Sequence, residues 1–321
     1  MNSDGLLGRV QVAAAELMRS HPPRWKHRNK RGVFDHVCPP DSAHAGELVV
    51  SRWGQRELPL AEVCRPATCE VRADVFTYAP RTTARPGLDW HLNFAHHSLF
   101  IAYGGPLLAQ DELQVLEHPA LAAVREYLQR RGDPALAPLT RDAVATPVLI
   151  RGVERRCALA TERLYGNAFA RAGLAEVLAA TTVLRPPTLS NIVAVEAPSG
   201  GHGRYMLAEI HDALATAYSG FAAARADTAA ALGEGAEVVV HTGHWGTGAY
   251  GGDRVLMATL QLLAAGLAGV DRLVFHTVDE AGAPPVARAQ AVLAGLTGQT
   301  LAQTVAEIDA MAFAWGESNG T

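Results

Sequence analysis

Residues 237–269 read EVVVHTGHWGTGAYGGDRVLMATLQLLAAGLAG, and this stretch sets the fold class. Glu237–Thr242 is a short β-branched run of the kind a buried strand carries. Glycines 243, 246, 248, 251 and 252 follow within ten residues, and from Arg254 apolar residues recur at helical spacing as far as Ala268. Strand, glycine loop and helix make a candidate phosphate or nucleotide site. Residues without a Cβ let backbone N–H groups approach an anion, and a helix N-terminus behind the loop offers orphan donors and a favourable dipole. The loop lacks the terminal Gly-Lys-Ser/Thr of a P-loop. Nor does an acidic residue follow about twenty positions on in the strand context that a Rossmann fingerprint requires. A purely structural glycine turn is the competing reading.

The alternation continues outward. Thr146–Gly152, Asn191–Ala197 and Arg272–Val278 are further strand-like runs, and helical patterns cover Asp111–Arg130, Tyr205–Arg225, Pro285–Leu296 and Leu301–Phe313. The expected architecture is an α/β layered domain with a mixed or largely parallel sheet. Upstream of Asp89 the pattern is irregular. A helix is expected over Leu6–Met18, strands over Glu47–Ser51 and Val71–Tyr78, and a connecting segment over Pro80–Pro86. This divides the chain into an N-terminal accessory region, 1–88, and an α/β domain, 89–321. The run RWKHRNKR, Arg24–Arg31, holds the chain's two lysines, Lys26 and Lys30. It reads as a solvated loop or as a contact for a phosphate-bearing partner.

Composition bounds the function. In 321 residues, 28 Lys+Arg stand against 32 Asp+Glu, a formal net charge of −4, which argues against broad nucleic-acid or polyanion binding. With 49% hydrophobic and 19% charged residues the chain buries a sizeable core. No membrane-spanning run and no signal peptide are evident, so a soluble, cytoplasmic protein is expected. Cys38, Cys64, Cys69 and Cys157 are too scattered for a disulfide framework, and the gap between Cys64 and Cys69 is not that of a zinc knuckle.

Chemistry points to a second stretch, Asp89–Ala120. Gln110-Asp111-Glu112 opens an apolar-periodic helix. Carboxylates in a first turn are ordinary helix-start residues, stabilised by the macrodipole. Two adjacent carboxylates in a desolvated site cannot both ionise cheaply, however, and an acid kept protonated near neutral pH can protonate a glycosidic leaving oxygen.

Together the two stretches resemble the poly(ADP-ribose) glycohydrolase family, whose catalytic domain is a macrodomain-type three-layer α/β/α fold with a mixed sheet. Leu92-Asn93-Phe94-Ala95-His96 and Gln110-Asp111-Glu112 resemble that family's Val-Asp-Phe-Ala-Asn and Gln-Glu-Glu elements. Residues 242–253, TGHWGTGAYGGD, resemble its Thr-Gly-Asn-Trp-Gly-Cys-Gly-Ala-Phe-Gly-Gly-Asp motif. Asn191–Ala197 and Ala217–Phe221 resemble two segments lying between them, so the likeness runs over roughly residues 89–280. The resemblance implies that Glu112 is the acid/base of a ribosyl O-glycosidic hydrolysis, with Asp111 beside it positioning the ligand. Gln110, His96, His244, Gly246, Gly248, Ala249, Tyr250 and Gly251 would contact an ADP-ribose-containing or related nucleotide. No cofactor is implied, and neither a membrane nor a nucleic acid is an expected partner.

Three departures from the pattern stand out. Phe100-Ile101-Ala102 occupies the place of the family's triple glycine, with bulky side chains that would obstruct a diphosphate. His96 and His244 replace asparagines, and Val278 stands where an adenine-stacking aromatic is expected. The two histidines are read either as hydrogen-bonding to sugar hydroxyls or backbone, or as converging, with His97 or Asp111, on a divalent metal or a proton-transfer pair. The competing functions are a catalytically degenerate macrodomain that reads ADP-ribose, and an enzyme redirected to NAD or another nucleotide-linked sugar.

Overall fold

A computed structural model describes residues 5–318 apart from 64, 141, 143 and 200, so Cys64 lies outside the described residues. Its strands are β1 (Leu6–Ala13), β2 (Glu47–Trp53), β3 (Cys69–Arg72), β4 (Gly87–Ala95), β5 (Val148–Leu159), β6 (Thr181–Glu196), β7 (Glu237–Thr242) and β8 (Arg272–His276). They form one mixed sheet in the order β1-β2-β5-β6-β4-β7-β8-β3. The pairs from β1 to β6 are antiparallel. The pairs from β6 through β4, β7 and β8 to β3 are parallel.

The helices are α1 (Ala14–Ser20), α2 (Arg28–Val37), α3 (Gln110–Glu117), α4 (Pro119–Arg131), α5 (Ala168–Arg171), α6 (Leu174–Ala179), α7 (Leu207–Leu232), α8 (Arg254–Leu267), α9 (Ala283–Gly295) and α10 (Leu301–Ala310). Alternate residues of a strand face opposite sides, and the sheet uses both. Val193 and Val195 of β6 join Trp90, Leu92, Val240 and Phe275 in a core under α7, α8, α9 and α10. Ile192 and Ala194 join Leu48, Val50, Val148 and Ile150 in a second core under α1, α2, α3 and α4. No helix among the described residues is long and apolar enough to cross a membrane.

Several local expectations are corrected. Leu6–Met18 is not one helix, because Leu6–Ala13 pairs with β2 and only the following residues are helical. Its spacing also satisfies a period of two through Val10 and Val12, and tertiary pairing decides. Asp111–Arg130 is two helices broken at His118, because Pro119 has no N–H to continue α3 and starts α4 instead. Beyond Arg72 the Val71–Tyr78 segment leaves the sheet edge. Phe76 and Tyr78 then pack their rings against His91 at 5.6 and 4.3 Å. The basic run is no loop throughout, since Arg28 begins α2 and Lys30 is fully buried. Residues 1–88 supply β1, β2 and β3 to the common sheet, and residue 88 itself falls inside β4.

Candidate active site

Because β4, β6, β7 and β8 run parallel, their C-terminal ends meet at one edge of the sheet, where α/β folds place their ligands. The strands end there at Ala95, Glu196, Thr242 and His276. The helix carrying the carboxylate pair is tied to that edge by Gln110. Its side-chain carbonyl accepts from Phe94 N (2.8 Å) and its amide donates to Leu92 O (3.0 Å), so it works as a clasp on β4.

Asp111 and Glu112 are both buried, at 8% and 4% exposure. Glu112 accepts the Ala109 N–H (3.0 Å), and Asp111 accepts from the Asn93 side-chain amide (3.0 Å). Burial, and then the charge of Glu112, push Asp111 up to about 7, while Asn93, Lys30 and Arg125 pull the other way. Lys30 reaches in from α2 and donates to Tyr103 O (2.8 Å). Burial brings its ammonium down to about 8, opposed by Glu112 and Asp111. Arg125 of α4 donates to Leu99 O. Two buried cations thus hold the segment between β4 and α3 behind the carboxylates. Sequence reasoning missed Lys30 and Arg125, although a lysine as rare as this one was the available signal.

The glycine loop is shaped by close approaches. Gly246 has φ +75°, and a Cβ there would lie 2.6 Å from that of Ala197. Trp245 is fully buried and donates to Val195 O (3.2 Å). The helix N-terminus behind the loop is not the open anion site the sequence led us to expect. Asp253 caps it, accepting from Val255 N (2.9 Å) and Leu256 N (2.8 Å). The free donors sit earlier. Gly251 and Gly252 donate to Gly248 O and Gly246 O, leaving the amides of Gly248, Ala249 and Tyr250 with no hydrogen bond among the described residues. Successive unpaired amides in a turn are an anion-binding arrangement. Gly251 faces the chain's C-terminal segment: its carbonyl accepts from Gly316 N (2.7 Å), and a Cβ would meet Gly316 O at 2.8 Å.

Glu196, which the sequence reading passed over, joins the loop to the carboxylates. It is 5% exposed, accepts from Tyr250 Oη (3.4 Å), and lies 3.7 Å from His97. Burial raises its carboxyl, with His97 opposing. Burial and then Glu196 raise the Tyr250 hydroxyl, and the charges of Asp111 and Glu112 act in the same direction. The two histidines have different partners. His96 accepts from Ser98 N (3.2 Å) and its ring lies 3.7 Å from that of His97. His244 donates from Nε2 to Gly282 O (3.0 Å), and burial lowers its imidazole, favouring the neutral ring. No group of three or more His, Cys, Asp or Glu among the described residues is arranged to hold a metal ion.

The buried side-chain atoms left without partners here share a character. Asn93 Oδ1, Glu196 Oε2 and His244 Nδ1 are all orphaned, and the bond made by Nε2 leaves Nδ1 of the neutral imidazole as an acceptor. Of the two bulky side chains expected to obstruct a diphosphate, Ile101 is 49% exposed and only the other turns inward. Phe100, at φ +55°, is fully buried in the second core rather than lying across the edge. Gly104 serves close packing, since a Cβ would lie 2.6 Å from Arg24 O. Val278 is 65% exposed, at φ +72°.

Fold and site together define an α/β domain of the macrodomain type, with a glycine loop and a buried carboxylate pair at the C-terminal edge of its sheet. Residues 146–283 match the family model described as poly(ADP-ribose) glycohydrolase (PARG), Macro domain fold. That match spans β5 to β8 and the glycine loop, less than half of the chain; Gln110, Asp111 and Glu112 lie upstream of the matched segment. No curated protein matches the chain. Similar solved structures include the poly(ADP-ribose) glycohydrolase of Thermomonospora curvata, at 18% identity over 87% of this chain and 97% of that one, TM-score 0.46. Another is that of Deinococcus radiodurans in complex with ADP-ribose, at 15% identity over 90% and 95%, TM-score 0.47.

Proposed function

We propose that the chain hydrolyses a ribosyl O-glycosidic bond in an ADP-ribose-type substrate, with Glu112 as general acid and then general base. The observation that carries this reading is the complementarity of the edge to a ribose phosphate. Three unpaired loop amides suit a diphosphate, and the orphaned acceptors Asn93 Oδ1, Glu196 Oε2 and His244 Nδ1 suit sugar hydroxyls, which donate. A buried polar group without a partner costs about 1–3 kcal/mol, so a ligand that supplies the missing partners recovers that penalty on binding.

The chemistry then divides between the two carboxyls. Glu112, held by the Ala109 amide, gives its proton to the leaving ribosyl oxygen as the C–O bond breaks, and the ribosyl centre becomes oxocarbenium-like. The resulting carboxylate takes a proton from the water that attacks that centre, which restores the acid. Asp111, braced by Asn93, keeps a second full charge out of the pocket for as long as it holds its proton. The match of residues 146–283 to the glycohydrolase family model supports the reaction class.

The test is Glu112→Gln, which preserves shape and the bond from Ala109. Turnover of poly(ADP-ribose) and of mono-ADP-ribosylated protein, followed by mass spectrometry, is expected to fall by about 10²–10⁴-fold or more, with the circular dichroism spectrum unchanged. A rate equal to wild type would falsify the assignment. Calorimetric binding of ADP-ribose without turnover by the wild-type chain would instead identify a reader domain.

A further inference from the structure

We infer that the basic segment before α2 forms a second anion site, away from the glycine loop, which holds a phosphate or diphosphate group of a polymeric ADP-ribose-type substrate. The polymer part of this inference rests on the glycohydrolase reading; the anion site does not.

Five of the chain's 28 Lys+Arg residues fall within the eight residues Arg24–Arg31, so a chain that is acidic overall concentrates positive charge at one place. There an open surface hollow of ≈ 420 Å³ is lined by Arg24, Trp25, Lys26, Arg31, Phe34 and Asp35. Trp25 is 5% exposed, and its indole N–H is buried with no acceptor. A buried donor left without a partner gains from any acceptor that reaches it, and a phosphate oxygen is one.

The cations around it are available in different degrees. Lys26 is exposed, and its ammonium has no ion-pair partner among the described residues. Arg31 spends one N–H on Trp25 O (2.9 Å) and keeps the rest of its fork. Arg24 is paired with Glu126 (2.9 Å) at its Nε, and its side chain is 71% exposed. Asp35 and Glu126 are the opposing carboxylates, and three cations outnumber them. The Phe34 ring, 5.7 Å from that of Trp25, adds an aromatic wall of the kind a base or ribose packs against.

The same segment connects this hollow to the carboxylates. The amides of Lys26 and His27 both donate to Gly104 O (3.0 and 2.9 Å), and Lys30, on its buried side, donates to Tyr103 O. Cations at Arg24, Lys26 and Arg31 thus line the outer hollow, while Lys30 of the same segment exerts its charge on Asp111 and Glu112. A polymer carrying a diphosphate in every unit offers this site a second anion while the first lies at the glycine loop. That favours it over a free phosphate or a nucleic acid as the natural occupant.

The indole N–H resonance of Trp25 in the ¹⁵N-labelled full chain, assigned through Trp25→Phe, reports the site directly. Titration with millimolar pyrophosphate is expected to shift it saturably, and Lys26→Glu to weaken that binding about tenfold. An unmoved resonance, or an affinity indifferent to Lys26→Glu, overturns the anion site. In the Glu112→Gln background, poly(ADP-ribose) is expected to bind more tightly than single-stranded DNA of equal charge, and Lys26→Glu to reduce that preference. DNA binding as tight as the polymer overturns the polymer assignment. If pyrophosphate shifts Trp25 but ADP-ribose binds nowhere on the chain, the glycohydrolase reading fails and the anion site stands.

Discussion

Asp111 and Glu112 are neighbours in sequence with different surroundings. Asp111 points back at Asn93, with the charges of Lys30 and Arg125 acting on it, and Glu112 folds over to its own helix start. Raising Asp111 to about 7 has a consequence for stability. Between the ordinary carboxylate range and pH 7 the folded chain holds this proton more tightly than the unfolded chain does. The group's contribution is therefore present at low pH and lost as pH rises through about 7. Asp111→Asn removes that titration and keeps an acceptor for Asn93. Urea unfolding across this range is expected to find the variant stabilised relative to wild type above pH 7, with the margin shrinking on acidification. A margin independent of pH would show that Asp111 does not carry the shift.

At the scale of elements, the site depends on how α3 is fastened. Its N-cap, Ala109, has no side-chain oxygen to offer, and Gln110 ties the helix to β4 through Leu92 O and Phe94 N. Gln110→Ala strands both backbone groups, and chemical denaturation is expected to show a loss of about 1–3 kcal/mol. If stability is unchanged, the clasp is not what holds α3. This residue was read from the sequence as a ligand contact, and its hydrogen bonds are not visible there, because spacing cannot say which way an amide side chain turns. The capped end of α8 teaches the same lesson. Asp253 stands in the resemblance as one letter of a motif, and only its bonds to Val255 and Leu256 show that it fills the helix N-terminus. By contrast, the extent of β7 and the start of α8 were legible to the residue, because a β-branched run, a glycine cluster and an apolar period mark each boundary locally.

At the scale of the molecule, the sheet makes residues 1–88 and 89–321 depend on each other. β2 pairs with β5 over Val49–Arg52, and the second core draws Leu17, Trp25, Val33, Leu48 and Val50 from the N-terminal part. Expressed alone, residues 89–321 would expose the edge of β5 and the part of that core these residues cover. Such a fragment is expected to be insoluble or to lack a cooperative thermal transition, and calorimetry on the soluble fraction decides. A fragment that melts cooperatively near the full chain's midpoint would make 1–88 a true appendage.

The sequence by itself determined the layered α/β class, the strand–glycine loop–helix unit at 237–269 and the position of the carboxylate pair, because these are written in local periodicity and in residues that few backbones require. Tertiary structure alone decided that Leu6–Ala13 is a strand, that Phe100 turns into the core, that Lys30 is buried and bonds Tyr103 O, and that Asn93, Glu196 and His244 present unpaired acceptors at one edge. Each of these depends on contacts between residues distant in the chain. Pairing, burial and side-chain direction belong to the folded packing, and no window of sequence contains them.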